Sequence, residues 1–425
     1  MLPVELRHLM LPVLRRGFAT SASSRKPLVV LGLESSADDT CAAIVDSSRR
    51  ILSNVVLKQS SIHESFGGIH PLHAQEAHQL NMPIAIQRAL AEADVSLSDL
   101  NGIAFTRGPG MYGCLSVCAG AAKALAAATG KPLLGVHHMQ AHALTPFLTA
   151  APNSPYPTPQ FPFLTLLLSG GHTLLLHASS PSSFRILATT HDESIGACLD
   201  KASRDLGVDW ALGGGSPGAA LEKFAFPSLS LAGEAEAPAG DADPSFKVPA
   251  FPTPFPRQLA FSYAGLRSSL TRILSPNAPS TSPDPPPAAP DLSEGSKRLL
   301  ARSFMLAAFK QIEDKVAMAL RQAEQRGEER VKGLVVSGGV ASNLILRERL
   351  RITLDSLDYS DLPLIFPPPK YCTDNAAMIA HVGVQRLLAG RTDPLTVMQR
   401  SKWSVEECEA DFERVEGAEG KKLEG

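Results

Sequence analysis

The sequence has 425 residues, of which 44% are hydrophobic, and a formal net charge of −2. This composition is ordinary for a globular chain with a buried core, and the near-neutral charge argues against a histone-like polycation while leaving room for a local basic patch. No apolar run of the ~18 residues that span a membrane is evident, so no membrane contact is predicted. Six cysteines without a C-x-x-C pair are typical of a reducing compartment.

The first 26 residues differ in composition from the rest of the chain. They contain four arginines, one acidic residue, leucines at near-helical spacing and a Ser/Ala-rich end. This combination is typical of an amphipathic mitochondrial transit peptide, whereas a disordered tail would not need the alternation of arginine and leucine. We therefore predict a transit peptide over 1–26, cleavage around 18–24 and a location in the mitochondrial matrix.

The following part of the chain, 27–150, is predicted to form a first α/β lobe. Short apolar runs between polar turns indicate strands, and longer runs indicate helices. The predicted strands are 28–33, 41–46, 51–57, 102–106 and 133–136, and the predicted helices are 74–93, interrupted by Pro83, and 113–129. The polar turn 34–40 joins the first two strands.

A second lobe is predicted over 151–390, because its first strand again leads through a polar turn, 169–173, into another apolar run. The predicted elements are strands at 163–168 and 333–336, helices at 195–206, 297–326 and 376–388, and a Gly-rich turn at 213–218. Segments rich in Pro and Ser, about 227–256 and 275–293, are predicted as surface insertions. The last helix, about 375–388, is expected to pack back on the first lobe, and 391–425 is predicted as a C-terminal tail.

Two histidines four residues apart, His138 and His142, are the first candidate functional residues. On a helix this spacing places both imidazoles on one face, where two neutral rings can bind one divalent metal ion. Asp374, just ahead of the helix at 376–388, is the candidate third ligand. A polar helix face is the alternative interpretation. A HExxH metalloprotease is disfavoured, because Met139 stands where that motif has its glutamate.

Glycine-containing turns after apolar strands are candidates for nucleotide binding. The turn 169–171 lies in a hairpin, and 337–339 lies between a strand and a helix N-terminus, where backbone N–H groups favour anions. Asp200 is a candidate contact to ribose hydroxyls or to a cation beside the phosphates. The alternative interpretation is a solvated carboxylate on a helix. Each turn alone is common, but together with two duplicated hairpins they predict an α/β, duplicated actin/hexokinase/Hsp70-like (ASKHA) two-lobed fold with an inter-lobe nucleotide cleft. Neither a Walker nor a Rossmann glycine motif is present.

An ordered set of motifs between residues 31 and 380 carries the most specific signal. In chain order they are GLESSADDTCAAIVD, FGGIHP, RGPGMYGCLSV, GVHHMQAHALTP, FPFLTLLLSGGHTLLL, FSYAGLRSSL, VVSGGVASN and CTDNAAMIA. With them the sequence resembles the tRNA threonylcarbamoyladenosine biosynthesis proteins, once described as O-sialoglycoprotein endopeptidases. The segment 73–76 and the transit-type leader are similar to the mitochondrial branch of that family.

The resemblance implies roles for individual residues. His138, His142 and Asp374 carry over as ligands of one divalent metal ion per subunit, zinc or iron. The implied substrate contacts are Leu167, Leu168, Ser169, Gly170, Gly171, Asp200, Asn343 and one glycine of 213–218, which spacing assigns to Gly218. Gln140 and Ala141 replace the usual Glu-Gly of the histidine motif, a departure that removes no ligand. No residue stands out as a general base.

The implied reaction is transfer of a threonylcarbamoyl group from threonylcarbamoyl-AMP to N6 of the adenosine 3′ to the anticodon in mitochondrial tRNAs that read ANN codons, releasing AMP. The implied partners are tRNA, a synthase that supplies threonylcarbamoyl-AMP, and a second copy of the chain in a homodimer. Candidate RNA contacts are Lys58, Arg107, Arg257 and Arg267.

Three other functions remain open from the residues alone. The fold would also suit a nucleotide-binding regulator or chaperone-like module, a metal-dependent peptidase, or a small-molecule kinase. A peptidase needs a base beside the metal-bound water, and none is spaced for that role. A kinase reaction would give the pair His138 and His142 no role in binding or catalysis.

Overall fold

A computed structural model describes residues 26–66, 68–150, 156–227, 246–248, 250–275 and 292–413. Nearly all of the predicted transit peptide, most of both Pro/Ser-rich insertions and residues 414–425 of the predicted tail lie outside these ranges. The described residues contain two five-stranded sheets with helices packed on them.

The first sheet has the strand order β3-β2-β1-β4-β5. Its strands are β1 (Val29–Glu34), β2 (Asp39–Asp46), β3 (Ile51–Lys58), β4 (Gly102–Gly108) and β5 (Leu133–His137). The helices in this part of the chain are α1 (Ser60–Ser65), α2 (Pro71–Ala93), α3 (Tyr112–Thr129) and α4 (His138–Thr149). Pairing is antiparallel from β1 through β2 to β3 and parallel from β1 through β4 to β5.

The second sheet repeats this arrangement. Its strands are β6 (Phe163–Leu168), β7 (Thr173–Ala178), β8 (Phe184–Thr189), β9 (Leu334–Ser337) and β10 (Leu364–Ile365), in the order β10-β9-β6-β7-β8. The accompanying helices are α5 (Ile195–Asp205), α6 (Pro217–Ala225), α7 (Ala264–Leu274), α8 (Glu294–Gln325), α9 (Leu344–Asp355), α10 (Ala376–Leu388) and α11 (Cys408–Glu413). Because β6 pairs with β7 and β9 as β1 pairs with β2 and β4, the predicted duplicated α/β fold is confirmed.

Several elements differ from the sequence-based expectation. The helix α2 starts earlier than predicted, with Pro71 in its first turn, where a missing N–H costs nothing, and it continues through Pro83. The Gly-rich stretch is not all turn: a 3-10 turn at Trp210–Gly213 leads into α6, and Gly218 lies in the first turn of that helix. The expectation that no segment is long and apolar enough to span a membrane is wrong for α3, which meets both criteria. This helix packs against α2 and β4, as the core helix of a folded lobe does.

The helix α10 packs on the first sheet, although it follows the second sheet in sequence. It contacts β1, β2 and β4, and Val30 shares an apolar cluster with Met378 and Ala380. Close approach depends on Gly32 of β1, since a Cβ there would lie 2.4 Å from the Ala376 carbonyl oxygen and 2.7 Å from the Ala380 nitrogen. The strand therefore needs glycine at the point where α10 crosses it.

Residues 393–408, which we name the C-terminal strap, pack along the first lobe. Asp393 N–H donates to the Leu133 carbonyl oxygen (2.8 Å) and Arg400 N–H to the Arg107 carbonyl oxygen (2.7 Å). Glu406 then accepts a hydrogen bond from the Ile186 N–H of β8 (2.8 Å). This part of the predicted tail thus runs from the edge of one sheet to the edge of the other.

The buried His381 of α10 is expected to make the stability depend on pH. Burial, with a smaller effect of the Arg49 charge, lowers its pKa from 6.5 to about 4. Between these values the unfolded chain binds a proton that the folded chain does not, so the free energy of unfolding falls as pH drops from 6.5 to 4, by up to about 3 kcal/mol. We expect His381→Gln to flatten this slope in urea unfolding series at stepped pH. Equal slopes for the variant and the wild type would contradict the assignment.

Candidate metal centre and substrate cleft

The two histidines and the predicted aspartate converge between α4 and α10. The His142 Nε2 and His138 Nε2 atoms lie 3.0 Å and 3.5 Å from Asp374 Oδ1. The two imidazole rings are 4.7 Å apart and nearly perpendicular. One donor atom from each residue lies within 4.8 Å of the others, so all three can reach one ion. Two imidazole nitrogens and one carboxylate oxygen form a donor set that suits zinc or iron and leaves positions open for substrate.

Local sequence explains how each ligand is held. Both histidines are on one face of α4, which begins directly at the end of β5. Asp374 precedes α10, whose N-terminus is capped by Asn375: its side-chain oxygen accepts from the Met378 N–H (3.0 Å) and its amide donates to the Thr373 carbonyl (2.9 Å). The predicted triad is thus fixed by two helix N-termini that meet.

Glu34, at the end of β1, is a residue that the sequence reasoning missed. Its fully buried carboxylate accepts hydrogen bonds from the Ser36 N–H (2.5 Å) and the Thr106 hydroxyl, and its Oε2 lies 3.1 Å from His138 Nδ1. A proton on Nδ1 leaves Nε2 of a neutral His138 unprotonated, with its lone pair available to a metal ion beside Asp374, and a carboxylate in the place of Glu34 orients a metal-binding histidine. The available signal was a charged residue closing an apolar strand.

The electrostatic field of this centre favours a positive charge. Burial opposes ionisation of His138, yet the carboxylates of Glu34 and Asp374 raise the pKa of its imidazole to about 10. Burial likewise opposes ionisation of Asp374, but the charge and hydrogen bond of His138, with those of His142, hold its pKa well below the usual value. A site that stabilises a cation in this way fits a divalent ion as well as a proton.

The β6–β7 turn lies beside the triad. The ring of His172, at the end of this turn, is 6.5 Å from the ring of His138. Ser169 Oγ accepts from the N–H groups of Gly171 (3.3 Å) and His172 (3.0 Å), and a Cβ at Gly170 or Gly171 would meet open space. Leu167 and Leu168 are buried, main chain included, so their contact with substrate stays a prediction.

Asp200 and Gly218 also lie together. The Gly218 N–H donates to Asp200 Oδ1 (2.9 Å), and burial raises the pKa of this carboxyl group to about 6. Burial, and then the charges of Asp374 and Asp200, raise the pKa of Asp38 to about 6. Asp200 is therefore half-buried and hydrogen-bonded to Gly218, and its contact with substrate stays a prediction.

The turn 337–339, predicted as an anion site, leads into a 3-10 turn at Gly339–Ser342, and its role stays a prediction; the N-terminus of α9, which follows, has protein partners. Asn343 Oδ1 caps the helix by accepting from the Leu346 N–H (2.9 Å), and Glu222 Oε1 accepts from the Leu344 N–H (2.7 Å).

Two of the predicted RNA contacts have interaction partners within the fold. Arg267 pairs with Glu193 (3.0 Å), and the Arg107 guanidinium lies 5.1 Å from the Trp403 ring.

Comparison with known proteins agrees with the motifs at this site. The family model for TsaD, tRNA N6-adenosine threonylcarbamoyltransferase, matches residues 50–381. The mitochondrial tRNA N6-adenosine threonylcarbamoyltransferase of Schizosaccharomyces pombe is 36% identical over 394 residues, covering 90% of this chain and 88% of that protein. The Bartonella bacilliformis protein of the same activity is 36% identical, covering 89% of this chain and 95% of its own.

A plant protein gives a further match. The probable mitochondrial tRNA N6-adenosine threonylcarbamoyltransferase of Arabidopsis thaliana is 36% identical over 367 residues, covering 86% of this chain and 71% of its own length. Similarity at this level extends across both lobes and includes the two segments that meet at the triad. The chain therefore belongs to the tRNA N6-adenosine threonylcarbamoyltransferase family, and it is a transferase of the tRNA modification machinery.

Proposed function

We propose that the chain transfers the threonylcarbamoyl group of threonylcarbamoyl-AMP to N6 of the adenosine 3′ to the anticodon, in mitochondrial tRNAs that read ANN codons. The observation that carries this proposal is the triad of His138, His142 and Asp374 beside the β6–β7 turn, with donor atoms within 4.8 Å of one another. The family match and the mitochondrial relatives support the same substrate class and the matrix location.

The chemistry requires an activated acyl donor and a positioned amine. The adenine N6 attacks the carbamoyl carbonyl carbon, the new C–N bond forms, and the bond to the phosphate oxygen of the adenylate breaks, so AMP leaves and the amine loses a proton. A divalent ion, zinc or iron, held by the triad would polarise a carbonyl oxygen as a Lewis acid. The turn at 169–171 and the pair Asp200 and Gly218 are suited to hold the adenylate, and tethering both reactants replaces a bimolecular encounter.

A minimal transfer assay tests this proposal. We expect purified protein, threonylcarbamoyl-AMP and an unmodified mitochondrial tRNA to be sufficient for formation of threonylcarbamoyladenosine, measured by mass spectrometry of the digested tRNA. A tRNA with guanosine in place of the target adenosine is the matched control and is expected to remain unmodified. Unmodified target tRNA in the presence of intact threonylcarbamoyl-AMP would argue against the proposal. In the organelle, a separate synthase would supply the donor.

We also propose that two copies of the chain associate as a homodimer. Exposed apolar side chains just after α1, along α2 and at the start of α3 favour a contact there: Phe66 (53% exposed), Leu72 (57%), Leu80 (74%), Ile84 (48%) and Tyr112 (55%). Burial of such a patch against a second copy would stabilise association. Sedimentation velocity is expected to show a dimer for the wild type and a monomer for Leu80→Glu, with Lys310→Glu on the exposed part of α8 as the control. A monomeric wild type at micromolar concentration would refute the dimer.

A further inference from the structure

We infer that His137, the residue before the first candidate metal ligand, is a positioning residue that fixes α4 through the C-terminal strap. This inference rests on the proposed metal-binding function of the triad. His137 is buried and occupies the N-cap position of α4. Its Nδ1 accepts from the Gln140 N–H (3.4 Å), and its Nε2 lies 3.1 Å from the Trp403 carbonyl oxygen. A single neutral tautomer, protonated on Nε2, satisfies both contacts.

Trp403 is itself fixed from several sides. Its ring lies 4.6 Å from the His137 ring, and the guanidinium groups of Arg107 and Arg400 lie 5.1 Å and 4.9 Å from its centroid. The strap runs so close to the end of β4 that a Cβ at Gly108 would lie 1.9 Å from the Arg400 carbonyl oxygen. The hydrogen-bond acceptor that His137 meets is therefore held in one place.

His137 is one of several polar side chains that hold the first turn of α4, beside His138 on Glu34 and Gln140 on Pro181. The helix has 12 residues, contains Pro146 and starts without a Ser, Asp or Asn cap, so His137 supplies the side-chain cap. Gln140 Nε2 donates to the Pro181 carbonyl oxygen (2.9 Å), which ties the same first turn to the β7–β8 connection. A rotation of this turn would move His138 and His142 relative to Asp374, whose own position is set by α10.

The strap lies beyond the part of the chain that the family model matches, which ends at residue 381. It is anchored in the first sheet by Asp393, whose Oδ2 accepts from the Gly135 N–H (2.7 Å), and at β8 by Glu406 (2.8 Å from the Ile186 nitrogen). Through Trp403 and His137, this anchored segment sets where the metal-binding helix begins. Loss of a group that hydrogen-bonds a metal ligand directly, as Glu34 does with His138, commonly changes metal affinity by about 10- to 100-fold, and because His137 acts through the helix we expect an effect at the lower end of that range.

Two substitutions of His137 distinguish its capping of α4 from its contact with the C-terminal strap. His137→Asn keeps a side-chain oxygen that can cap α4, but its shorter side chain does not reach the Trp403 carbonyl; His137→Ala loses both contacts. The dissociation constant for zinc of each full-length variant is measured by competition with a chromophoric chelator, alongside the unfolding temperature of the metal-free protein. We expect His137→Asn to weaken zinc binding by about tenfold or more with little change in unfolding temperature, and His137→Ala to lower both.

Two substitutions of Trp403 test the same contact in case the His137 variants do not fold. Trp403→Ala is expected to weaken zinc binding, and Trp403→Phe, which keeps an aromatic ring against His137, is expected to restore most of the affinity. His177→Asn, on β7, is the control and is expected to bind zinc as the wild type does. Wild-type zinc affinity in His137→Asn and Trp403→Ala would overturn the inference. A wild-type protein that binds no metal would instead refute the metal centre itself.

Discussion

Replacement of Asp374 by alanine is expected to abolish metal binding and to reduce threonylcarbamoyl transfer at least about 100-fold. Asp374 supplies the single carboxylate among the three donors, with its Oδ1 3.0 Å from His142 Nε2 and 3.5 Å from His138 Nε2. Two imidazoles alone fall short of the three protein ligands usual at a catalytic zinc site. The metal content of purified protein, measured by elemental analysis, should fall from about one ion per chain to a small fraction.

A matched control and a second measurement sharpen this prediction. Asp361→Ala removes an exposed carboxylate that pairs with Arg330 on the surface, and we expect wild-type metal content and transfer. A strong chelator is expected to lower the unfolding temperature of the wild type but not of Asp374→Ala, because a ligand that binds only the folded state stabilises it. Full metal content in Asp374→Ala would show that the ion is bound elsewhere.

Replacement of Gly32 by alanine is expected to destabilise the fold by about 3 kcal/mol or more. The added methyl group would lie 2.4 Å from the Ala376 carbonyl oxygen and 2.7 Å from the Ala380 nitrogen, which are backbone atoms of α10 and have no rotamer by which to move away. The helix must shift off the first sheet. Since Asp374 directly precedes α10, the same shift should weaken metal binding, a loss that a defect confined to β1 would not produce.

Gly120→Ala is the control for Gly32→Ala. Gly120 is exposed in α3, and a Cβ there meets nothing within 4 Å. Alanine favours the helix over glycine by about 1 kcal/mol, so this variant should be slightly more stable than the wild type. Guanidinium unfolding midpoints compare the two variants directly. Equal stability of Gly32→Ala and the wild type would mean that α10 does not pack on β1 as closely as described.

The three metal ligands predicted from the sequence lie together in the structure, with donor atoms within 4.8 Å of one another. The spacing of His138 and His142 indicated a shared helix face, and the motif that contains Asp374 supplied a third donor. Glu34 escaped notice because a charged residue after an apolar strand reads as part of a turn. Its role depends on His138, which is 104 positions away and is brought near only by the parallel pairing of β1, β4 and β5.

Tertiary packing explains the other differences. Trp403 lies in a polar stretch without helical or strand periodicity, so its burial against His137 and two arginines has no local signal. Gly218 read as part of a flexible turn, but the preceding Pro217 starts a helix, as proline often does in a first turn. The apolar runs were sufficient to predict the five strands of the first sheet, whereas β8 and the two-residue β10 of the second sheet were not predicted.

The packing of α10 on the first sheet has a consequence for the synthesis of the chain. Two donors lie on the helix that follows β5, and the third precedes the helix that crosses β1, β2 and β4. A nascent chain that ends before residue 374 therefore lacks both the third donor and the helix that covers the first sheet. The candidate metal centre and the core of the first lobe are completed together, by the same late segment.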